Sequence, residues 1–559
     1  MKKLTVFCVC FLLTAICGAE IITVDDDAPA DFSNIQAAIN DSNDGDIIEV
    51  RPGTYTGDGN RDIDPNGKAV TIRSIDPNDP NIVTATIIDC NGTEAEPHRG
   101  FYFHSGEDSN SILDGLTITN GYVILRPESS GRGGGILCEQ ACPTIKNCII
   151  MGNLADSGGA GMYNYLSNPT INSCTFYNNH VFGCILTGGG GGGMCNSHSS
   201  PTVTNCTFRE NSGTCGAGGM ANYWEDSSPT VTNCTFTNNN DAGMGNSFGS
   251  SPVLIDCIFS HNLNSFVGMG GGMYCDGNLV LTNCIFIGNS AETGGGVLSS
   301  SSLLMLTNCI FCANSAENRG GGLSIYDSNS TTLVNCTFAG NSAHNGNALA
   351  CDSDQQMFPS NIQVTNSILW DGGSEIWNND GSTIILAYTN IEGGWSGLGN
   401  IDTDPCFVQP GYWDANGTPE DANDDFWVNG DYHLKSEGWR WVAPEGNWTW
   451  DNITSRCIDA GNPGSPLGDE LPAIPRDPDN LYGRNLRINM GAYGGTAEAS
   501  IPPHDWAILG DLTNDWVVDV NDLAVFADYW LDSGDCIPSD LNRNGSVQFD
   551  DFAIFAEDW

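Results

Sequence analysis

Two stretches near the end of the 559-residue chain repeat the same set of oxygen-bearing side chains. The first offers Asp511, Thr513, Asp515, Val517, Asp519 and Asp522 at positions 1, 3, 5, 7, 9 and 12 of a loop. The second, 29 residues on (540 minus 511), offers Asp540, Asn542, Asn544, Ser546, Gln548 and Asp551 at the same positions. Side-chain oxygens at this spacing, with the backbone carbonyl of position 7, wrap a hard cation, which makes Ca2+ the expected cofactor. The copies differ at position 6, where the loop turns sharply: Gly545 stands there in the second and Trp516 in the first, which also carries Thr513 where Asn or Asp is usual. The plainer alternative is an acidic turn without metal; the duplication weighs against it.

A second group suits a different ligand. Residues 395–450 hold Trp395, Trp413, Trp427, Trp439, Trp441, Trp448 and Trp450, half of the chain's 14 tryptophans. Indole faces stack on the apolar side of sugar rings, so Trp413, Trp427, Trp439, Trp441, Trp448 and Trp450 are candidates for carbohydrate stacking. The competing reading, given rather more weight, is a buried aromatic core that closes one end of the fold.

Composition narrows the partners. Acidic residues number 68 and basic residues 19, for a formal net charge of −49, and only five lysines occur: Lys2, Lys3, Lys68, Lys146 and Lys435. So few cations exclude nucleic-acid backbone and anionic membrane surfaces as ligands. At the start, Lys2 and Lys3 precede an apolar stretch over residues 4–16, and Cys17, Gly18 and Ala19 follow, the pattern of a secretory signal peptide cleaved after Ala19. No later stretch is long and apolar enough for a transmembrane helix. The expectation is a secreted protein, extracellular or at the cell surface.

The elements that must position these groups are written in a repeat. Asn147-Cys148, Ser173-Cys174, Asn205-Cys206, Asn233-Cys234, Asp256-Cys257, Asn283-Cys284, Asn308-Cys309 and Asn335-Cys336 recur at cysteine intervals of 26, 32, 28, 23, 27, 25 and 27 residues. Each is followed by a further asparagine: Asn153, Asn179, Asn211, Asn239, Asn262, Asn289, Asn314 and Asn341. Gly triplets at residues 133–135, 191–193, 270–272, 294–296 and 320–322 lead into an apolar column, and Asn164, Asn196, Asn222 and Asn246 align two residues beyond it. A leucine-rich repeat has a similar period, but its return segment would show helical periodicity. Here the return is Gly-, Ser- and Asn-rich. A parallel solenoid of three short strands per coil fits better, stacked at about 4.8 Å. It predicts cysteines as free thiols filling the interior, asparagine side chains bonded along the stack, left-handed Asn turns before each Cys and positive φ at the glycine corners.

The Gly-Gly and FxxN repeats resemble those of polymorphic outer membrane proteins. The front, with Ile35-Gln36-Ala37-Ala38-Ile39, Gly45-Asp46-Ile47-Ile48-Glu49-Val50 and Pro52-Gly53-Thr54-Tyr55, resembles the start of pectin-lyase-like right-handed β-helices, in which a short helix plugs the open end. Residues 457–461 and 487–494 resemble the finishing block of exported β-helix proteins. The tail resembles a type I dockerin, which implies calcium binding and docking to a cohesin-like partner through residues 510–559. The resemblance implies an all-β solenoid with an N-terminal capping helix and a small α-helical tail module. The boundaries are residues 1–19 for the signal peptide, 20–130 for the cap and first coils, 131–400 for the repeat, 401–500 for the Trp-rich end, 501–509 for a linker and 510–559 for the tail module.

Pectin-lyase-like relatives include polysaccharide lyases and glycoside hydrolases. Between residues 133 and 371 the only basic residues are Lys146, Arg209 and Arg319, too few to neutralise a uronate without bound metal. A glycosidase needs two carboxyls about 5–10 Å apart, and Glu225, Asp226, Asp256 and Asp276 are candidates that sequence cannot place on one face. His180, His198, His261 and His344 share no column and read as surface turn residues. A carbohydrate-binding or surface-adhesive scaffold is favoured over a polysaccharide-degrading enzyme, and catalytic residues stay unassigned. Cys406 and Cys457 flank the Trp segment and could form a disulfide.

Overall fold

The computed structural model describes residues 19–559 apart from 28, 127–128, 184–189, 215, 301–302, 328–329, 354–358, 418–425, 444 and 471–482. The expected signal peptide, apart from Ala19, lies outside the described residues.

Runs of apolar residues alternating with Thr, Ser and Asn, ended by a turn residue, make short strands. One coil shows the plan: Thr202–Thr204, Thr207–Arg209, then Met220–Tyr223. Each strand pairs in parallel with its counterparts in the neighbouring coils, giving three sheets of 14, 13 and 11 strands whose order follows the sequence. The core lies inside the coils as columns. Phe176, Phe208, Phe236, Phe259, Phe286, Phe311 and Phe338 stack with centroids 4.6–4.9 Å apart and planes within 7°.

The expected turn chemistry is present. Asn205, Asn233, Asn283 and Asn308 take φ of +55°, +51°, +53° and +55° between the first and second sheets. The following cysteines are buried and unlinked. Their thiols face carbonyls, as Cys234 Sγ does Thr232 O at 3.2 Å. Gly191 bends its coil's return at φ +71°, and a Cβ on Gly193 would meet Phe208 Cδ1 at 2.9 Å, so close coil packing also demands glycine.

Two asparagine ladders run through the stack. Nδ2 of Asn164, Asn196 and Asn222 donates to Oδ1 of the next rung at 2.8, 2.7 and 2.7 Å. The longer ladder spans Asn153 to Asn341. Each Oδ1 after the first accepts both the backbone N–H and Nδ2 of the rung before, as Asn239 does from Asn211 at 3.0 and 3.1 Å. Each Nδ2 also reaches a strand carbonyl, as Asn239 does Phe208 O at 2.9 Å.

The ends are closed differently. Helix α1 (Ile35–Asp41), capped by the Asn34 side chain, buries Ile35, Ala38 and Ile39 over the first coils. A one-and-a-half-turn α2 (Pro80–Ala85) lies beside the second sheet. At the other end three antiparallel ribbons follow the last coil: Phe407–Gln409 with Asp431–Leu434, Tyr412–Asp414 with Phe426–Val428, and Arg440–Val442 with Asn447–Thr449. The expected Cys406–Cys457 bridge is absent, because Cys457 is buried with its Sγ accepting from Asn390 Nδ2 at 3.2 Å, while Cys406 lies partly exposed and unlinked. Helices α3 (Val520–Asp528) and α4 (Phe549–Glu557) form the tail. Among the described residues no helix is long and apolar enough to cross a membrane.

Candidate functional site

The two tail loops share the backbone hydrogen bonds to their first and last aspartates. Asp511 accepts from Asp515 N (3.1 Å) and Trp516 N (2.8 Å), and Asp540 accepts from Asn544 N (3.0 Å) and Gly545 N (2.7 Å). Asp522 accepts from Thr513 N (2.9 Å) and Asp519 N (2.8 Å), and Asp551 from Asn542 N (3.1 Å) and Gln548 N (2.9 Å). The small core repeats as well, with Leu512 and Leu541, and Phe526 and Phe555, in equivalent places. Trp516 makes the position-6 turn at φ +72°, close to the +85° of Gly545. Its indole is held edge-on by Trp506 at 4.9 Å and lies under Arg456 at 5.2 Å.

The donor set fits calcium. Oxygens of Asp511, Asp515 and Asp522 all lie within 4.8 Å of one another. Thr513 Oγ1, at position 3, is buried without a hydrogen-bond partner. Burial is the main cause that pushes the Asp511 carboxyl above its usual range. Bound cation would hold these carboxylates ionised and supply charge neutralisation.

The tryptophans resolve into cross-strand pairs. Trp441 opposes Trp448 in the last ribbon at 5.5 Å and 66°, and Trp439 meets Trp450 beyond it at 5.3 Å and 89°. Trp413 opposes Trp427 at 5.6 Å and 69°. Edge-to-face pairs of this kind stabilise a two-stranded ribbon by about 0.5–1.5 kcal/mol each. Trp413 and Trp450 are 54% and 65% exposed, while their partners are half-buried; Trp427 packs on the coil at Gly340. None of the six is buried in the core.

Of the residues weighed for catalysis, His198, Glu225, Asp226 and Asp276 share one corner of successive coils, and Asp256 lies apart from them. Asp226 pairs with His198 at 2.9 Å. Asp276 accepts from Phe248 N and Gly249 N at 2.9 and 2.8 Å, and Asp256 lies on another corner, accepting from Asn283 Nδ2 at 3.0 Å. His180 is half-buried and His261 is exposed, and partial desolvation of the ring lowers the pKa of both.

Two arrangements escaped the sequence reading. His198, Trp224 and Phe248 stack face to face on successive coils at 5.6 and 4.8 Å, each in a left-handed turn. The signal was available, since each stands four residues after the Met194, Met220 and Met244 column. Beside Phe248 a cavity of about 260 Å³ opens over the third sheet, lined by Tyr223, Met269, Tyr274 and Asp276 among others. Burial pushes the Tyr274 hydroxyl up to about 12. At the capped end, buried His433 bridges Asp431 (2.6 Å) and Glu498 (3.3 Å) under the ring of Tyr493 at 3.6 Å. Residues 65 apart in sequence give no local signal for that array.

Residues 63–223 and 180–311 match the family model described as the right handed beta helix region. The repeat is a right-handed parallel β-helix. No curated protein matches the chain. Among solved structures, the β-helix chain is similar to the PL6 family alginate lyase AlyGC, at 15% identity and a TM-score of 0.45, over 67% of this chain. The match spans about half of that lyase, 52% of its length. The pectate lyase Pel9A matches at 12% identity and 0.34, over 86% of this chain and 97% of its own. Tailspike protein 3 of bacteriophage CBA120 matches at 13% and 0.35, over 77% of this chain and 68% of its own. At these scores the likenesses carry no argument about what this β-helix binds or turns over.

Proposed function

We propose that the chain is a secreted β-helix protein that binds carbohydrate and is fastened, through a calcium-loaded dockerin-like tail, to a cohesin-type partner. The observation that carries the carbohydrate reading is the bracing of exposed Trp413 and Trp450 by Trp427 and Trp439. Each outer indole is held edge-on by its neighbour, which leaves ring surface turned to solvent at 54% and 65% exposure. A pre-positioned aromatic loses little entropy when a sugar ring stacks on it.

Binding is favoured over lyase chemistry by the state of the cations. Lys146 is paired with Asp114 at 3.0 Å, Arg209 with Glu210 at 3.1 Å, and Arg319 with Asp352. The three basic residues between 133 and 371 are therefore already engaged. A neutral or calcium-bridged polysaccharide suits this acidic surface better than a free uronate. Attachment is supported by the tail's outer face, where Val520 and Phe549 hold position 10 of the two loops and are 66% and 77% exposed. Affinity electrophoresis of the mature protein on a polysaccharide panel, with and without calcium, tests the reading. Retardation by at least one glycan is expected, and none on any glycan would refute it.

The second reading is a polysaccharide-degrading enzyme. Its specific support is a cleft of about 320 Å³ between the second sheet and the cap, lined by the carboxylates of Asp256 and Glu498 together with Tyr493. Release of reducing ends or unsaturated products from the same panel, abolished in Glu498→Gln, would favour it.

A further inference from the structure

The tail's metal loops are seated on the end of the β-helix. At position 4 of each loop, Asn514 and Arg543 share a left-handed backbone, with φ +59° and +54°, and both side chains reach into the cap. Asn514 Nδ2 donates to Gly399 O at 2.7 Å and Ala460 O at 2.8 Å. Arg543 donates from Nε to Pro463 O at 2.9 Å and from Nη2 to Leu486 O at 2.5 Å. From the cap side, Arg487 is only 2% exposed. Its Nη1 donates to Asp511 O at 2.9 Å, while Nε and Nη2 hold Gly461 O and Ala460 O. Tyr388 Oη donates to Leu512 O at 3.2 Å.

Metal-facing and cap-facing groups thus alternate along one backbone. In the first loop, positions 1, 3 and 5 offer side-chain oxygens inward, while the carbonyls of positions 1 and 2 and the side chain of position 4 face the cap. Without a cation, the clustered Asp511, Asp515 and Asp522 carboxylates repel one another. A loop that springs open withdraws one acceptor of buried Arg487 and the acceptor of Tyr388, and a buried donor left without its partner is costly.

We propose that calcium in the two tail loops is the structural metal of the β-helix's C-terminal cap, closing the loops onto residues 458–464 and 486–491. The inference rests on the calcium reading above and goes beyond it, since a tail that merely binds calcium need not affect the β-helix. The tail then holds a fixed orientation on the solenoid instead of swinging from a linker.

The test uses the full mature chain. Calcium binding is measured by calorimetry, and amide hydrogen exchange at 458–464 and 486–491 is followed with calcium and with chelator. Calcium at a hundred times its dissociation constant is expected to slow exchange there by about a hundredfold. Asn514→Ala and the double variant with Arg543→Ala change no ligand side chain. They should bind calcium within about threefold of the parent yet lose most of that protection. Full calcium binding with cap exchange unchanged would overturn the inference and leave the calcium reading standing. Full protection in the double variant would overturn it too, and an absence of calcium heat would overturn both. If the double variant does not fold, Asn514→Ala alone decides by the same readout.

Discussion

Trp516 and Gly545 make the same turn, at φ +72° and +85°, in two loops that otherwise share every backbone hydrogen bond to their first and last aspartates. A bulky side chain in the left-handed region costs on the order of 1–2 kcal/mol. Here the contacts with Trp506 and Arg456 offset part of that cost. Gly545→Ala has no such neighbours, its open surroundings offering a Cβ only Gly534 O at 3.8 Å. It is expected to lower calcium affinity of the second loop about fivefold, roughly 1 kcal/mol. Trp516→Gly should change the first loop by less than about threefold, because relieved strain and lost contacts oppose each other. Calorimetric titration of both variants separates these outcomes.

The last ligand position sets the number of sites. Asp551 is fully buried and closes the second loop through Asn542 N and Gln548 N. Asp551→Ala should reduce calcium stoichiometry from two to one, with the first site retained. Two sites of undiminished affinity would contradict the ligand assignment.

Asn239, in the middle of the long ladder, serves four partners: Asn211 N, Asn211 Nδ2, Phe208 O and Asn262 Oδ1. Asn239→Ala strands several of these in a dry interior and should destabilise the β-helix by about 3 kcal/mol or more. The guanidinium unfolding midpoint checks it. A shift worth less than about 1 kcal/mol would mean that water repairs the gap.

The ladder ends on an acid. Asp371 Oδ1 accepts from Asn341 N (2.7 Å) and Nδ2 (3.0 Å), as an asparagine rung would. Its Oδ2, where other rungs place a donor, is buried without a partner, as is Oε2 of Glu375. Burial first, and the Glu375 charge second, push the Asp371 carboxyl well above its usual range, and burial raises Glu375. Such an acid keeps a proton in the folded chain that the unfolded chain releases near pH 4. Its stability contribution is therefore full below about pH 4 and is lost as pH rises through the folded value. Asp371→Asn restores the donor. It should unfold at higher denaturant than the parent at pH 8 and show a flatter pH dependence between pH 4 and 8. An unchanged slope would contradict the protonated rung.

Much of the solenoid was legible because a coil repeats its chemistry. Cysteine, asparagine and glycine columns recur at the same place in each turn, and side-chain ladders follow from stacking like on like. The spacing of Asp371 after Asn341 continues that column, yet nothing near Glu375 announces that the two carboxyls meet. The duplication of the two tail loops was legible as local spacing. The tryptophan pairing was half legible: Trp439 and Trp441, then Trp448 and Trp450, have strand period on either side of a turn. The seating of the loops on the cap had no sequence signature, because Arg487 and Asn514 address backbone carbonyls that any residue supplies.

The carbohydrate reading is tested most directly by affinity electrophoresis of residues 20–559 beside a Trp413→Ala, Trp450→Ala double variant, on each glycan that retards the parent. Loss of stacking worth about 1–3 kcal/mol should weaken retardation roughly tenfold or more, with circular dichroism of the β-helix unchanged. Equal retardation of parent and variant on every glycan would contradict the account.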